Sequence, residues 1–141
     1  MSSSSRDSLE LEKADLELVR EAEELLARHH SEISGVAVAL QTTKARRYYG
    51  LDIDLELSPV SICAEYSAIG NMVTNGERAI STIVAVSMSR KPNEYNVLPP
   101  CGKCREFMRA FGNPYVILKL EGKRLRKTRL SNLLPMPFEP E

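Results

Sequence analysis

The strongest constraint in this 141-residue chain is the placement of its three cysteines, Cys63, Cys101 and Cys104. Residues Cys63 to Asn75 read as a helix, ended by Gly76 in the position that favours a left-handed cap. Cys101 to Phe111 read as a second helix, again followed by a glycine, Gly112. Each cysteine group therefore opens a helix. Cys101 and Cys104 stand three apart and can face one point from the first turn. Cys63 meets them there if the two helices start side by side.

The rest of the chain supplies the sheet that would hold them. Residues 8 to 29 carry Leu9, Leu16, Val19 and Leu26 at helical spacing, with Asp7 or Ser8 as the start cap. Gly35 to Gln41 and Arg46 to Ile53 read as strands joined by a turn at Lys44 to Arg46. Ala79 to Met88 is rich in Ile and Val and reads as a buried strand. Lys91 to Pro100, with three prolines, reads as a loop. Tyr115 to Leu120 and Arg124 to Arg129 read as strands, and Ser131 to Leu134 as a turn of helix. Helices alternating with strands predict an α/β fold of three layers, helices on both faces of one sheet.

The length suits a single domain, expected over 8–141, behind a serine-rich disordered leader at 1–7. With 19 basic and 19 acidic residues the formal net charge is zero, which points to neither nucleic acid nor a membrane surface. The basic run Lys123 to Arg129 reads as a solvated face rather than a strand-binding surface. The N-terminus lacks the apolar core of a signal peptide, so a cytoplasmic location with reduced thiols is expected. An odd, small number of cysteines argues against a disulfide framework.

Three free thiols can be small core hydrophobes. They can also be thiolates around a metal, because a helix N-terminus favours the ionised thiol. Three thiolates around tetrahedral zinc leave one position open, as in a catalytic site, and such a zinc acidifies a bound water. His29 and His30 are the alternative, as a fourth ligand closing a structural site. Glu65, two residues after Cys63, can point past the ligand toward that water and carry its proton. An ordinary first-turn glutamate favoured by the helix dipole is the other reading.

Cys63-Ala64-Glu65 with Pro100-Cys101-Gly102-Lys103-Cys104 resembles the zinc-site signature of the cytidine deaminase family. The resemblance extends from about residue 34 to 140. Val36 to Leu40 resembles the family's first strand, and Leu133-Leu134-Pro135-Met136-Pro137-Phe138 its C-terminal segment. Gly50, Asp52 and Asp54 fall where the family carries a Gly-x-Asn-x-Glu sugar-binding segment. The resemblance implies a mixed five-stranded sheet between helices and a homotetramer with one zinc ion per subunit. It also implies hydrolytic deamination of cytidine or deoxycytidine, a small nucleoside substrate, within pyrimidine salvage. Cys63, Cys101 and Cys104 would hold zinc and Glu65 would be catalytic. Asp52, Asp54, the main chain at Ala64 and Pro100, and a neighbouring subunit's Phe138 would contact substrate.

This chain differs from the family pattern at four positions. Asp52 and Asp54 stand in place of Asn and Glu; both accept hydrogen bonds, but neither donates when ionised. Ser34 falls near the family's stacking Phe, and Tyr66 replaces an Arg held to offset the thiolate charge. Arg105 and Arg90 are the candidates to replace that charge. Blasticidin-type deaminases share the missing Arg and the altered segment. A modified nucleoside such as blasticidin S, or another small aminated heterocycle, is therefore the alternative substrate. A non-catalytic zinc-stabilised module is the reading from another class.

Overall fold

A computed structural model describes residues 7–120, 122 and 124–140. Its centre is β4 (Ile80–Met88), an almost continuous run of buried Ile, Val and Ala. A strand points successive side chains to opposite faces, and both faces of β4 are covered. Val84 and Val86 face one helical layer, while Ile83 and Ala85 face the other. β2 (Val36–Thr42) pairs antiparallel along one edge of β4. The other edge is shared: β6 (Tyr115–Lys119) pairs parallel at Thr82 and Ile83, and β5 (Tyr95–Leu98) pairs antiparallel from Ala85 to Met88. β3 (Arg47–Leu51) extends the sheet beyond β2; β7 (Leu125–Arg129) and the two-residue β1 (Leu9–Glu10) extend it beyond β6.

The three layers expected from the sequence are present. α1 (Lys13–His29) covers one face through Leu18, Val19, Ala22 and Leu26, over Ala37, Ala39 and Ile117. α2 (Ala64–Thr74) and α3 (Gly102–Met108) cover the other through Ala68, Ile69, Met72 and Met108. The sheet has seven strands among the described residues rather than five. The two unexpected strands are β1, within the segment read as helix, and β5, within the segment read as loop.

The start of α1 also differs. Its N-cap is Glu12, not Asp7 or Ser8, closed by a reciprocal box in which the Glu12 N–H donates to Asp15 at 2.8 Å. Leu9 and Leu16 do not face the core, being 48% and 54% exposed. Residues 1–6 of the expected leader lie outside the described residues, and the carbonyl of Asp7 accepts from Thr128.

Candidate active site

The two helix starts come together as the cysteine spacing required. Cys63 is the N-cap of α2 and Cys101 the N-cap of α3. The Sγ atoms of Cys63, Cys101 and Cys104 lie within 4.8 Å of one another. Two elements outside the helices set this convergence. A bridge between Ile53 and Ile62, two 2.9 Å backbone hydrogen bonds, delivers the chain to Cys63. β5 delivers Cys101: Leu98 pairs with Ala85, and two prolines lead directly into the cysteine.

The thiols differ in environment. Burial pushes Cys63 up, and burial together with the Glu65 charge pushes Cys104 up further. Burial also opposes ionisation of Cys101. There, the N–H groups of Cys104 and Lys103 and the flanking thiols outweigh it and hold the pKa below that of an ordinary thiol. Three soft sulfur donors at this spacing fit a thiolate-bound metal, and zinc suits both the donor type and the number. His29 and His30 belong to the far end of α1 and do not join the cluster.

Glu65 sits in the first turn of α2, only 7% exposed. It accepts a hydrogen bond from Cys104 Sγ at 3.6 Å. Burial raises its pKa above the usual carboxylate range. Glu65, Cys63, Ala64 and Cys101 line a cavity of about 400 Å³, together with Asp52 and Asp54. The cavity thus gathers most of the residues singled out in the sequence.

Hydrogen bonds outside the cavity engage several of the expected residues, Asp52 among them. Asp52 Oδ1 accepts from the N–H groups of Gly35 and Val36, at 2.8 and 2.9 Å, so one oxygen is committed to the start of β2. Ser34 is buried and donates to the Asp52 carbonyl at 2.8 Å; Val36, not Ser34, reaches the cavity wall. The carbonyl of Pro100 accepts from Arg105 Nε at 2.8 Å, and that arginine also holds the Leu133 carbonyl at 2.9 Å. Arg90 lines a separate groove beside Ala27. Phe138 lies outside the cavity of its own chain and is 72% exposed, its carbonyl held by Arg109. Residues given no role beforehand, among them Ser58, Ser61, Ile62 and Lys103, also line the cavity.

The basic run is internally satisfied. Arg124 and Arg126 pair with Glu10, Lys127 with Asp15 at 2.8 Å and Glu12 at 3.4 Å, and Arg129 donates to the Asn113 carbonyl. Lys123 lies outside the described residues. No helix among the described residues is long and apolar enough to cross a membrane.

Residues 12–120 match the family model for the cytidine and deoxycytidylate deaminase zinc-binding region. A blasticidin-S deaminase of Bacillus cereus is 31% identical over 91% of this chain and 94% of its own length. A cytidine deaminase of Mycoplasma genitalium is 31% identical over 72% of this chain and 76% of its own. Among solved structures, the cytidine deaminase of Burkholderia pseudomallei shares the fold with a TM-score of 0.70. It is 24% identical, across 87% of this chain and 98% of that one. The Bacillus anthracis cytidine deaminase gives 0.76 at 18% identity, across 87% and 88%.

Proposed function

The chain belongs to the cytidine and deoxycytidylate deaminase family of zinc-dependent hydrolytic enzymes, and from that premise we propose that its substrate is a cytosine-type nucleoside. Cytidine or deoxycytidine and water would give uridine or deoxyuridine and ammonia. The observation that carries this reading is the thiol triad beside the buried Glu65, with Cys63, Cys101 and Glu65 lining one cavity.

Cys63, Cys101 and Cys104 would hold the zinc. When bound, it supplies the Lewis acidity that makes water nucleophilic near neutral pH. Glu65 then acts twice. It accepts a proton as water oxygen bonds to the ring carbon bearing the amine, and gives that proton to the ring nitrogen. It next carries the proton of the newly formed hydroxyl to the amine, which leaves as ammonia as the carbon–nitrogen bond breaks and the carbonyl forms. A carboxyl with a pKa raised by burial suits this traffic, since its acid and base forms are closer in free energy than those of an ordinary carboxylate at neutral pH.

Asp54 and the free oxygen of Asp52 would receive sugar hydroxyls at the cavity mouth. The Ala64 and Pro100 main chain would face the base. A single deaminase domain at 8–141, assembled as a homotetramer in the cytoplasm and serving pyrimidine salvage, completes the reading. Phe138, exposed in its own chain, would then line a neighbour's cavity. Light scattering after size exclusion tests this, since a stable monomer removes that role from Phe138.

A second reading has its own support. The Bacillus cereus blasticidin-S deaminase matches almost the whole chain, and Asp52 is half committed to backbone. Ammonia release from zinc-loaded protein would be measured against cytidine, deoxycytidine, cytosine and blasticidin S, with Glu65→Gln as control. Cytidine turnover that falls by about 10²–10⁴ in the control supports the first reading. Turnover of blasticidin S alone moves the assignment to the second. Zinc binding without turnover of any aminated ring leaves a non-catalytic zinc module.

A further inference from the structure

Three thiolates and one Zn²⁺ sum to a charge of −1, and the cavity wall adds Glu65, Asp52 and Asp54. Tyr66, the residue after Glu65, brings no positive charge to the first turn of α2. Neither sequence candidate takes over: Arg105 is tied to the Pro100 and Leu133 carbonyls, and Arg90 lines another groove.

Among the described residues lining the cavity, Lys103 is the only lysine or arginine. It forms no ion pair with a carboxylate among the described residues. Its Nζ lies 5.0 Å from the centroid of the Tyr66 ring, within cation–π range. That ring is fixed from behind: Phe107 packs on it at 4.2 Å, and Phe111 packs edge-on to Phe107 at 5.4 Å. Tyr66 follows Glu65 on α2, and Lys103 precedes Cys104 on α3. The pair therefore spans the two helix starts between which the thiols converge.

We propose that the Lys103 ammonium, held against the Tyr66 ring, is the positive charge that balances the thiolates of the zinc site. The proposal rests on the metal reading above. Loading exchanges three thiol protons for one Zn²⁺ and takes the site from neutral to −1. A nearby cation favours that change, and also favours negative charge developing on the attacking water. Lys103 acts by its field, at a distance from the reacting atoms.

The test is zinc affinity of metal-free, reduced protein, by competition with a chromophoric chelator at fixed pH and low salt. Wild type, Lys103→Gln, Lys103→Arg and Tyr66→Leu are compared, with circular dichroism confirming the fold. Lys103→Gln is expected to bind zinc about two- to fivefold more weakly, the size of a screened surface charge interaction. Lys103→Arg should stay within about twofold of wild type, Tyr66→Leu should fall between, and the deficit should shrink near 1 M salt. In turnover, Lys103→Gln should lower kcat and leave KM nearly unchanged. Unchanged zinc affinity in Lys103→Gln overturns the proposal; if KM alone rises, the ammonium instead anchors an anionic part of the substrate. A wild-type protein that takes up no zinc overturns the metal reading, a separate outcome.

Discussion

Asp52 shows how a side chain read from the sequence as a substrate contact can also hold backbone. Its Oδ1 accepts from the N–H groups of Gly35 and Val36 at the start of β2. Asp52→Asn keeps a carbonyl oxygen there, so chemical denaturation should find stability close to wild type. Asp52→Ala leaves two donors without that acceptor and should cost about 1–3 kcal/mol. Equal stability of the two variants would return Asp52 to a purely substrate-facing role. Glu77 offers a second residue-scale test. Hydrogen bonds from the Thr42 and Tyr48 hydroxyls and the Arg46 charge hold its carboxyl below the ordinary value of 4.5. A depressed pKa contributes stability above 4.5 that disappears as pH falls through the folded value. Glu77→Gln should therefore melt below wild type at neutral pH, with the gap closing in acid. A gap that persists undiminished at pH 3 would refute the ionic origin.

At the scale of elements, what was legible depended on whether an element carries its own pattern. β2, β4, α2 and α3 carry apolar runs and terminal glycines, and each lies within a residue or two of its expected start. β5 carries no such pattern. Tyr95 to Leu98 is flanked by prolines and becomes a strand because the upper half of β4 offers a free edge beside β6. It escaped sequence reading although it positions Cys101. Lys103 was overlooked for a related reason: a lysine between two ligands reads as spacer until the fold sets it over Tyr66. Conversely, Leu9 and Leu16 mimic a helical stripe, while the true start is the Glu12–Asp15 box. Gly50 is the glycine at which an added Cβ would meet the closest atoms. A Cβ there would stand 2.3 Å from the Ala68 nitrogen and 2.7 Å from Ser67, so β3 and α2 touch only because Gly50 has none. Gly50→Ala should cost on the order of 1–3 kcal/mol in urea unfolding. A smaller loss would mean that α2, with Cys63 and Glu65 at its start, can slide without harm.

For the whole molecule, the metal is expected to act as a tie between chain segments 38 residues apart, Cys63 and Cys101, across one face of the sheet. Those segments meet through buried side chains, but three ionised thiols within 4.8 Å repel one another unless a cation sits among them. Zinc bound to the native state and not to the unfolded chain adds RT ln(1 + [Zn]/Kd), about 4 kcal/mol when free zinc is a thousandfold above Kd. For a chain of this size that corresponds to a rise in melting temperature on the order of 10 °C. Chelation under reducing conditions should remove it, and zinc readdition should restore it. Cys104→Ser, which replaces the fully buried thiol, should blunt the response to zinc, whereas Glu65→Gln should keep it in full if the glutamate has the proposed proton-transfer role and is not a ligand. Loss of the zinc response in Glu65→Gln would make that carboxylate a ligand and withdraw the proton-transfer role. An unchanged response in Cys104→Ser would remove this thiol from the ligand set.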